Sequence, residues 1–509
     1  MRAIMVMFDS LNRRYLPAYG MEDSRDVFAP NFARLAEKTV LFENACIGSM
    51  PCMPARREMH TGRLNFLHRS WGPLEPFDDS VPELLSGAGV YTHLISDHQH
   101  YWEDGGATYH QRYTSWENVR GQEGDHWKAN IGDFRRFNKE SENPLHWHDR
   151  VNRQYMKSAQ DQPQSHVFDL GMEFLETNLS QDNWFLQIEC FDPHEPFFTM
   201  DEYRRLYQST EDGPRDDWPP YAPVTEGVDA VRRMKLEYMA LLSMCDRSLG
   251  RVLDFMDDHD LWKDTMLIVN TDHGYLLGEH GWWAKMLMPH YDEIARIPLF
   301  IWDPVAGIRG KRRSSLVQTI DLPASLLYFF GLPLPADMRG RPLRETIRND
   351  TPVRSACLFG MHGAQLNVTD GRYIYMLAPE PSKPVYEYTQ MPTHMRSRFS
   401  LQEMRSARLR EPFSFTKGTP VFKINAGGYD PNVHASGDRL AADCPDGEKI
   451  RECYRQRDRT MLFDLLLDPK QAHPIIDATL EKRMRDLMKE LMWEEDAPAE
   501  LYERFGLNG

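Results

Sequence analysis

Short apolar runs that stop at an aspartate recur along this chain, and they limit its fold more than any other feature. Ala3 to Phe8 ends at Asp9, Thr92 to Ile95 is soon followed by Asp97, Trp184 to Ile188 leads to Asp192, and Thr265 to Asn270 leads to Asp272. Runs of this length suit strands buried on both faces, as in a mostly parallel sheet covered by helices. In open sheets of that kind ligands bind beyond the carboxyl ends of the strands, where these aspartates stand. Val40 to Phe42 and Ile297 to Ile301 read as further strands. Between the runs the spacing turns helical, from Pro30 to Ala36, Val81 to Leu85 and Asp321 to Leu327. Leu242, Cys245, Leu249, Val252, Leu253 and Met256 mark one amphipathic helix, on which Asp246 and Arg247 read as a solvated or ion-paired edge. The expectation is an α/β fold: a large mixed, mostly parallel sheet flanked by helices.

The character changes near residue 350. Gln365 to Met376 reads as a hairpin turning at Asp370-Gly371, Leu462 to Pro469 as a late strand, and residues 476–495 as a terminal helix. A catalytic unit over 1–350 and a smaller antiparallel α+β unit over 351–509 are expected. Two stretches resist assignment. Residues 103–165 read as an irregular excursion over the active-site face, with His110, Arg112, Trp116, Trp127, His146 and His148 as pocket candidates. Residues 380–460, polar and rich in Pro and Arg, could reach the active-site mouth or a second copy of the chain, so a homo-oligomer is left open.

The formal charge of −16 argues against nucleic acid or an anionic membrane as the main partner. It leaves room for a small anionic substrate, since a metal and a few cations can reverse the field inside one pocket. The seven cysteines (46, 52, 190, 245, 357, 444 and 453) are scattered and contain no Cys-x-x-Cys pair, so no disulfide framework or zinc knuckle is indicated. The opening apolar run is too short for a secretory signal, and no segment is long enough to span a bilayer. A soluble protein of the reducing cytoplasm is expected.

Chemistry concentrates in Pro51-Cys52-Met53-Pro54-Ala55-Arg56, followed by Thr61-Gly62-Arg63. Pro54 suits a first helical turn, which sets Cys52 at a helix mouth beside unpaired N–H groups, where an anion is stabilised. Arg56, one turn on, can reach back as a fixed cation. Taken alone, Cys52 is also compatible with a buried thiol before an ordinary helix. Cys-x-Pro-x-Arg followed by Thr-Gly-Arg resembles the maturation signature of the type I sulfatases, in the alkaline phosphatase-like superfamily. Two later blocks resemble the same family: Asp192-Pro193-His194-Glu195-Pro196-Phe197, and Thr271-Asp272-His273-Gly274 with Gly278-Glu279-His280-Gly281 and Trp283-Ala284-Lys285.

That resemblance implies metal- and formylglycine-dependent hydrolysis of sulfate esters. Cys52, oxidised by a formylglycine-generating enzyme, becomes the nucleophile as a hydrated aldehyde. Asp9, residue 52, Asp272 and His273 hold one divalent cation. Arg56 and Lys285 stabilise the formylglycine and the sulfate oxygens, and His194 protonates the leaving alcohol. A second base, His98 or His100, takes the proton that lets the hydrated aldehyde collapse and expel sulfate. The chain departs from the family pattern in three places. No lysine precedes His98, Ser10 stands where a second aspartate is common, and His273 replaces a frequent asparagine. Calcium is the first expectation for the cation, with manganese or magnesium as alternatives. A single aspartate with Asp-His also resembles the phosphonate monoester hydrolase and phosphodiesterase branch, which is the alternative activity. A metal-binding pseudoenzyme with Cys52 unmodified is the remaining one.

Overall fold

The apolar runs become the central strands of one sheet. The structure, a computed structural model, describes residues 1–134, 143–207, 216–426, 452–453 and 455–508. Cys444 and most of the later part of the unassigned 380–460 stretch lie outside those residues, as do 135–142 of the earlier excursion. The main sheet has eight strands: β1 (Arg2–Phe8), β2 (Val40–Phe42), β3 (Tyr91–Ser96), β4 (Ser115–Asn118), β5 (Trp184–Cys190), β6 (Thr265–Thr271), β7 (Phe300–Trp302) and β8 (Lys311–Arg313). Their spatial order is β8-β2-β7-β6-β1-β5-β3-β4. Every neighbouring pair is parallel except those made by β7, which runs antiparallel to β2 and β6.

Every residue of β1, β5 and β6 is buried, which is why these strands read as unbroken apolar runs instead of alternating ones. On one face Phe8 packs on Phe32 and Phe168, from the helices Pro30–Lys38 and Pro163–Thr177. The 31-residue helix Val228–Asp258 packs on both of these helices. On the other face Met5 and Phe185 line a small cavity together with Met59 of the helix Cys52–Thr61 and Leu326 of the helix Asp321–Phe329.

Two smaller sheets follow from the C-terminal part. Met461–Asp464, Tyr373–Leu377, Leu366–Thr369 and Cys357–Met361 pair antiparallel in that order, and the terminal helix Ala478–Glu494 buries Met484, Met488 and Met492 beside them. The expected hairpin turns at Asp370-Gly371, where Gly371 has φ 92° and the Asp370 side chain accepts from the Arg372 and Tyr373 amides. The fifth strand of this sheet is Ser49–Met50, just before Pro51-Cys52, paired parallel to Cys357–Met361. Tyr386–Thr389, Arg408–Arg410 and Val421–Asn425 form a three-stranded antiparallel sheet inside the stretch that sequence left unassigned. Among the described residues no helix is long and apolar enough to cross a membrane.

Three local readings are corrected. The 103–165 stretch is not wholly irregular: it supplies the edge strand β4, whose sequence Ser-Trp-Glu-Asn is too polar to announce a strand, and the helix Pro144–Arg153. The run Ile297–Ile301 is divided at Pro298, with Arg296–Ile297 joining a small separate sheet and Phe300 starting β7. Asp246 is no solvated edge. It is 2% exposed and caps the helix Pro30–Lys38, accepting from the Phe32 amide at 2.8 Å and from Asn31 Nδ2 at 3.0 Å. Helical N-termini leave amides unpaired, and here the cap comes from another helix. Asp246→Ala therefore leaves a buried amide unsatisfied and is expected to cost ~1–3 kcal/mol, read as a lower midpoint in urea unfolding with unchanged slope.

Candidate active site

Register puts Phe8 of β1 between Cys190 of β5 and Thr271 of β6, so Asp9 and Asp272 emerge side by side beyond the sheet. Ser10, at φ 61°, turns the chain sharply, and its amide donates to Asp272 Oδ1 at 3.1 Å. The Ser10 hydroxyl donates to Asp9 Oδ1 at 2.8 Å and accepts from Lys285 Nζ at 2.9 Å. His273 Nδ1 faces the Gly274 carbonyl at 3.0 Å, which assigns the proton to Nδ1 and leaves Nε2 turned toward Cys52. Gly274 is required here, because a Cβ would lie 1.9 Å from the Glu293 carbonyl oxygen.

Cys52 opens the helix Cys52–Thr61, with Pro54 in its first turn. Its Sγ lies 3.4 Å from His273 Nε2 and 3.9 Å from Asp9 Oδ1. One donor atom each from Asp9, Cys52, Asp272 and His273 falls within 4.8 Å of the others, and all four residues are buried. Two carboxylates and an imidazole are a donor set that a divalent cation accepts, with the Cys52 Sγ as the fourth atom of the cluster. Around them four buried carboxylates (Asp9, Asp272, Glu189 and Glu195) face two fixed cations, Arg56 and Lys285. The surplus negative charge suits a divalent cation.

Arg56, 2% exposed, is held on three sides. Its Nε donates to Glu189 at 2.8 Å, Nη1 to Asp272 at 2.8 Å and the Cys52 carbonyl at 3.0 Å, and Nη2 to Asp9 at 3.0 Å. Burial alone would lower the guanidinium pKa, but Glu189, Asp9 and Asp272 hold it well above the usual value. Burial likewise pushes Asp9 upward, yet Arg56, His194, His98 and Lys285 keep its carboxyl well below the ordinary range. Asp272 is raised, by burial and then by Asp9. The Cys52 thiol is pushed far up by burial and by Asp9, so it is no thiolate nucleophile as it stands. Lys285 stays charged: burial disfavours the ammonium, but the surrounding anionic groups raise its pKa on balance.

The two histidines that sequence could not separate take different places. His98 is fully buried, with Nε2 3.5 Å from Asp9 Oδ2. His100 pairs through Nδ1 with Glu103 at 2.7 Å and lines the cavity above Cys52. Gln99–Trp102 forms one tight turn capped by the His98 side chain. His194 Nδ1 lies 2.5 Å from the Glu195 carbonyl, and its ring packs against Phe191. Cys52, His194, Lys285, Trp71 and Met361 share a cavity of about 430 Å³ with His100. Its wall also takes Val385, Glu387 and Arg396 from the stretch expected to reach the mouth. Of the candidates in 103–165, His110 and Trp116 pack together, Arg112 pairs with Glu83, Trp127 carries Lys128 over its ring, and His146 and His148 stack on Trp218 and His126. None of them lines this cavity, to which that stretch contributes Glu123 and Leu145. Sequence reading missed Glu189, Glu195 and Tyr221. Glu189 left a signal, as the one charge inside the buried run Trp184–Cys190.

A helix mouth at Cys52 is set against converging carboxylates, an imidazole and two buried cations. The Sulfatase family model matches residues 2–332. The chain belongs to the sulfatase family, whose members hydrolyse sulfate esters. A choline-sulfatase of Rhizobium meliloti is 25% identical over 364 residues, 65% of this chain and 68% of that protein. An arylsulfatase of Clostridium perfringens is 23% identical over 389 residues, 68% of this chain and 79% of that one. In fold, the chain matches a structure solved with its substrate D-glucosamine-2-N,6-O-disulfate at TM-score 0.65 and 15% identity, covering 97% and 98% of the two chains. It matches the phosphonate monoester hydrolase of Agrobacterium radiobacter at TM-score 0.61 and 16% identity, covering 97% and 95%.

Glu58, buried on the helix that carries Cys52, accepts from the Ser49 amide at 2.6 Å and from the Thr319 hydroxyl. Burial pushes its carboxyl from 4.5 up to about 8. Between those values the folded protein keeps a proton that the unfolded chain has lost, so this contribution to stability is full below pH 4.5 and is lost as pH rises through 8. Glu58→Gln is expected to flatten the fall in Tm across that window, measured by thermal denaturation at stepped pH.

Proposed function

We propose that this sulfatase works with residue 52 oxidised to formylglycine and with one divalent cation, calcium in the first instance. Asp9, Asp272, His273 and the side chain of residue 52 would hold that cation. The observation that carries this reading is the place of Cys52, at the helix mouth with its Sγ within 3.9 Å of Asp9 and His273 and in one cluster with Asp272. A hydrated aldehyde at this place offers one hydroxyl for attack on sulfur and a second for release. When bound, the cation supplies Lewis-acid polarisation of the oxygens around it.

The remaining roles belong to the chain's own side chains. Arg56 and Lys285 neutralise negative charge on residue 52 and on the sulfate oxygens. His194 gives a proton to the leaving alcohol. His98 takes a proton during sulfate release, the closer of the two histidine candidates to Asp9, with His100 contacting the substrate on the cavity wall. Residues 1–350 carry the chemistry, and 351–509 shape the mouth through Met361, Val385 and Glu387. Maturation by a formylglycine-generating enzyme in the cytoplasm completes the reading. A second reading, phosphonate monoester or phosphodiester hydrolysis, draws support from the lone Asp9 followed by Ser10, the Asp272-His273 pair and the fold shared with phosphonate monoester hydrolases.

Peptide mass spectrometry is expected to find the aldehyde at residue 52 in matured protein; a thiol in fully active protein overturns the reading. Cys52→Ala is expected to lose at least about 10³-fold in kcat, since removing a covalent nucleophile typically does so. Chelation should abolish turnover, with calcium or manganese restoring it. In a panel of aryl sulfate, phosphate diester and phosphonate esters, the sulfate ester is expected to turn over fastest.

A further inference from the structure

Glu195 is a buried carboxylate beside His194 and Lys285 that neither the cation cluster nor Arg56 uses. It is fully buried, and its Oε1 accepts a hydrogen bond from the Tyr221 hydroxyl. Its Oε2 lies 3.3 Å from His194 Nδ1 and 3.6 Å from Lys285 Nζ, with no hydrogen bond made to it among the described residues. A buried carboxylate oxygen without a partner is costly, so its place between the His194 imidazole and the Lys285 ammonium calls for an explanation. His194 Nδ1 meets acceptors on both sides, the Glu195 carbonyl and Oε2. That nitrogen must therefore carry the proton, and Nε2 is the nitrogen available to the cavity that His194 shares with Cys52. The Phe191 ring, centred 4.1 Å away, limits how the imidazole can tilt.

We infer that Glu195 is a positioning residue for leaving-group protonation: it orients His194 through Nδ1–H, stabilises the imidazolium and keeps Lys285 directed at residue 52. The inference rests on His194 being the acid of the proposed reaction. In that step an ionised oxygen of the hydrated residue 52 bonds to sulfur while the bond from sulfur to the leaving oxygen breaks, its electron pair staying on that oxygen. The Nε2 proton of His194 moves to that oxygen, and the imidazole becomes neutral. Glu195 takes no proton. Burial and then Lys285 push the His194 pKa down, and Glu195 is the first of the neighbours that pull the other way.

An acid matters most when the leaving oxygen is a poor leaving group, and this separates positioning from mere structural support. Glu195→Gln keeps the side chain's size and its acceptor for Tyr221 but removes the charge. Matured, metal-loaded E195Q is compared with wild type on a 4-nitrophenyl ester and on a simple alkyl ester, each offered as sulfate and as methylphosphonate. The expected result is a kcat loss of about 10²-fold on the alkyl ester, the usual scale of general acid catalysis, and a much smaller loss on the nitrophenyl ester, with KM little changed on both. Equal losses on the two leaving groups, or no loss on either, would overturn the inference. Should E195Q not fold, Tyr221→Phe, which removes the hydroxyl holding Oε1, is put through the same comparison: a loss confined to the alkyl ester supports the role of Glu195, and equal losses or none overturn it. A wild type active only on phosphonates would overturn the sulfate preference, while the leaving-group ratio measured on those esters would still decide the role of Glu195.

Discussion

The site depends on a guanidinium that water cannot reach. Arg56 is enclosed by Asp9, Asp272 and Glu189, and each of its nitrogens has a partner. Removing a charge from water is expensive, and the arrangement holds because three carboxylates from adjacent strands surround it. The same contacts lock the strand ends to the helix that carries residue 52. Asp9 and Asp272 are thereby kept a fixed distance from Cys52, although two acids this close would otherwise repel each other. A cation held beside them finds its ligands already aligned.

Charge in the cavity is divided between two groups of acids. Asp9 and Asp272 sit with the donor cluster, where His273 and Cys52 complete the set. Glu195 stands apart, near His194 and Lys285. Ser10 joins the halves, donating to Asp9 and accepting from Lys285. A second aspartate at that position would add negative charge; the serine hydroxyl keeps the connection without it.

The C-terminal part is joined to the chemistry through the backbone. Ser49–Met50 is a strand of the C-terminal sheet, and residue 52 follows it directly. Glu58, beneath that junction, binds the Ser49 amide. The position of residue 52 is thus set by both parts of the molecule, while Val385, Glu387 and Arg396 give the cavity its outer wall.

Sequence alone determined the α/β class, the central strands, the helix at Cys52 and the two blocks at 192–197 and 271–285. Each of these is a local pattern: apolar runs reflect two-sided burial, and Cys-x-Pro-x-Arg reflects one helical turn. Tertiary structure decided what depends on residues far apart in the chain. It put His98 beside Asp9 and His100 on the wall, because Gln99–Trp102 forms a tight turn. It brought Glu189 to Arg56 across 133 residues and Asp246 to the cap of another helix. It also built the cavity mouth from a stretch whose strands have no apolar pattern to announce them. A carboxylate's partner is chosen by strand register and helix packing, and neither leaves a mark in the residues next to it.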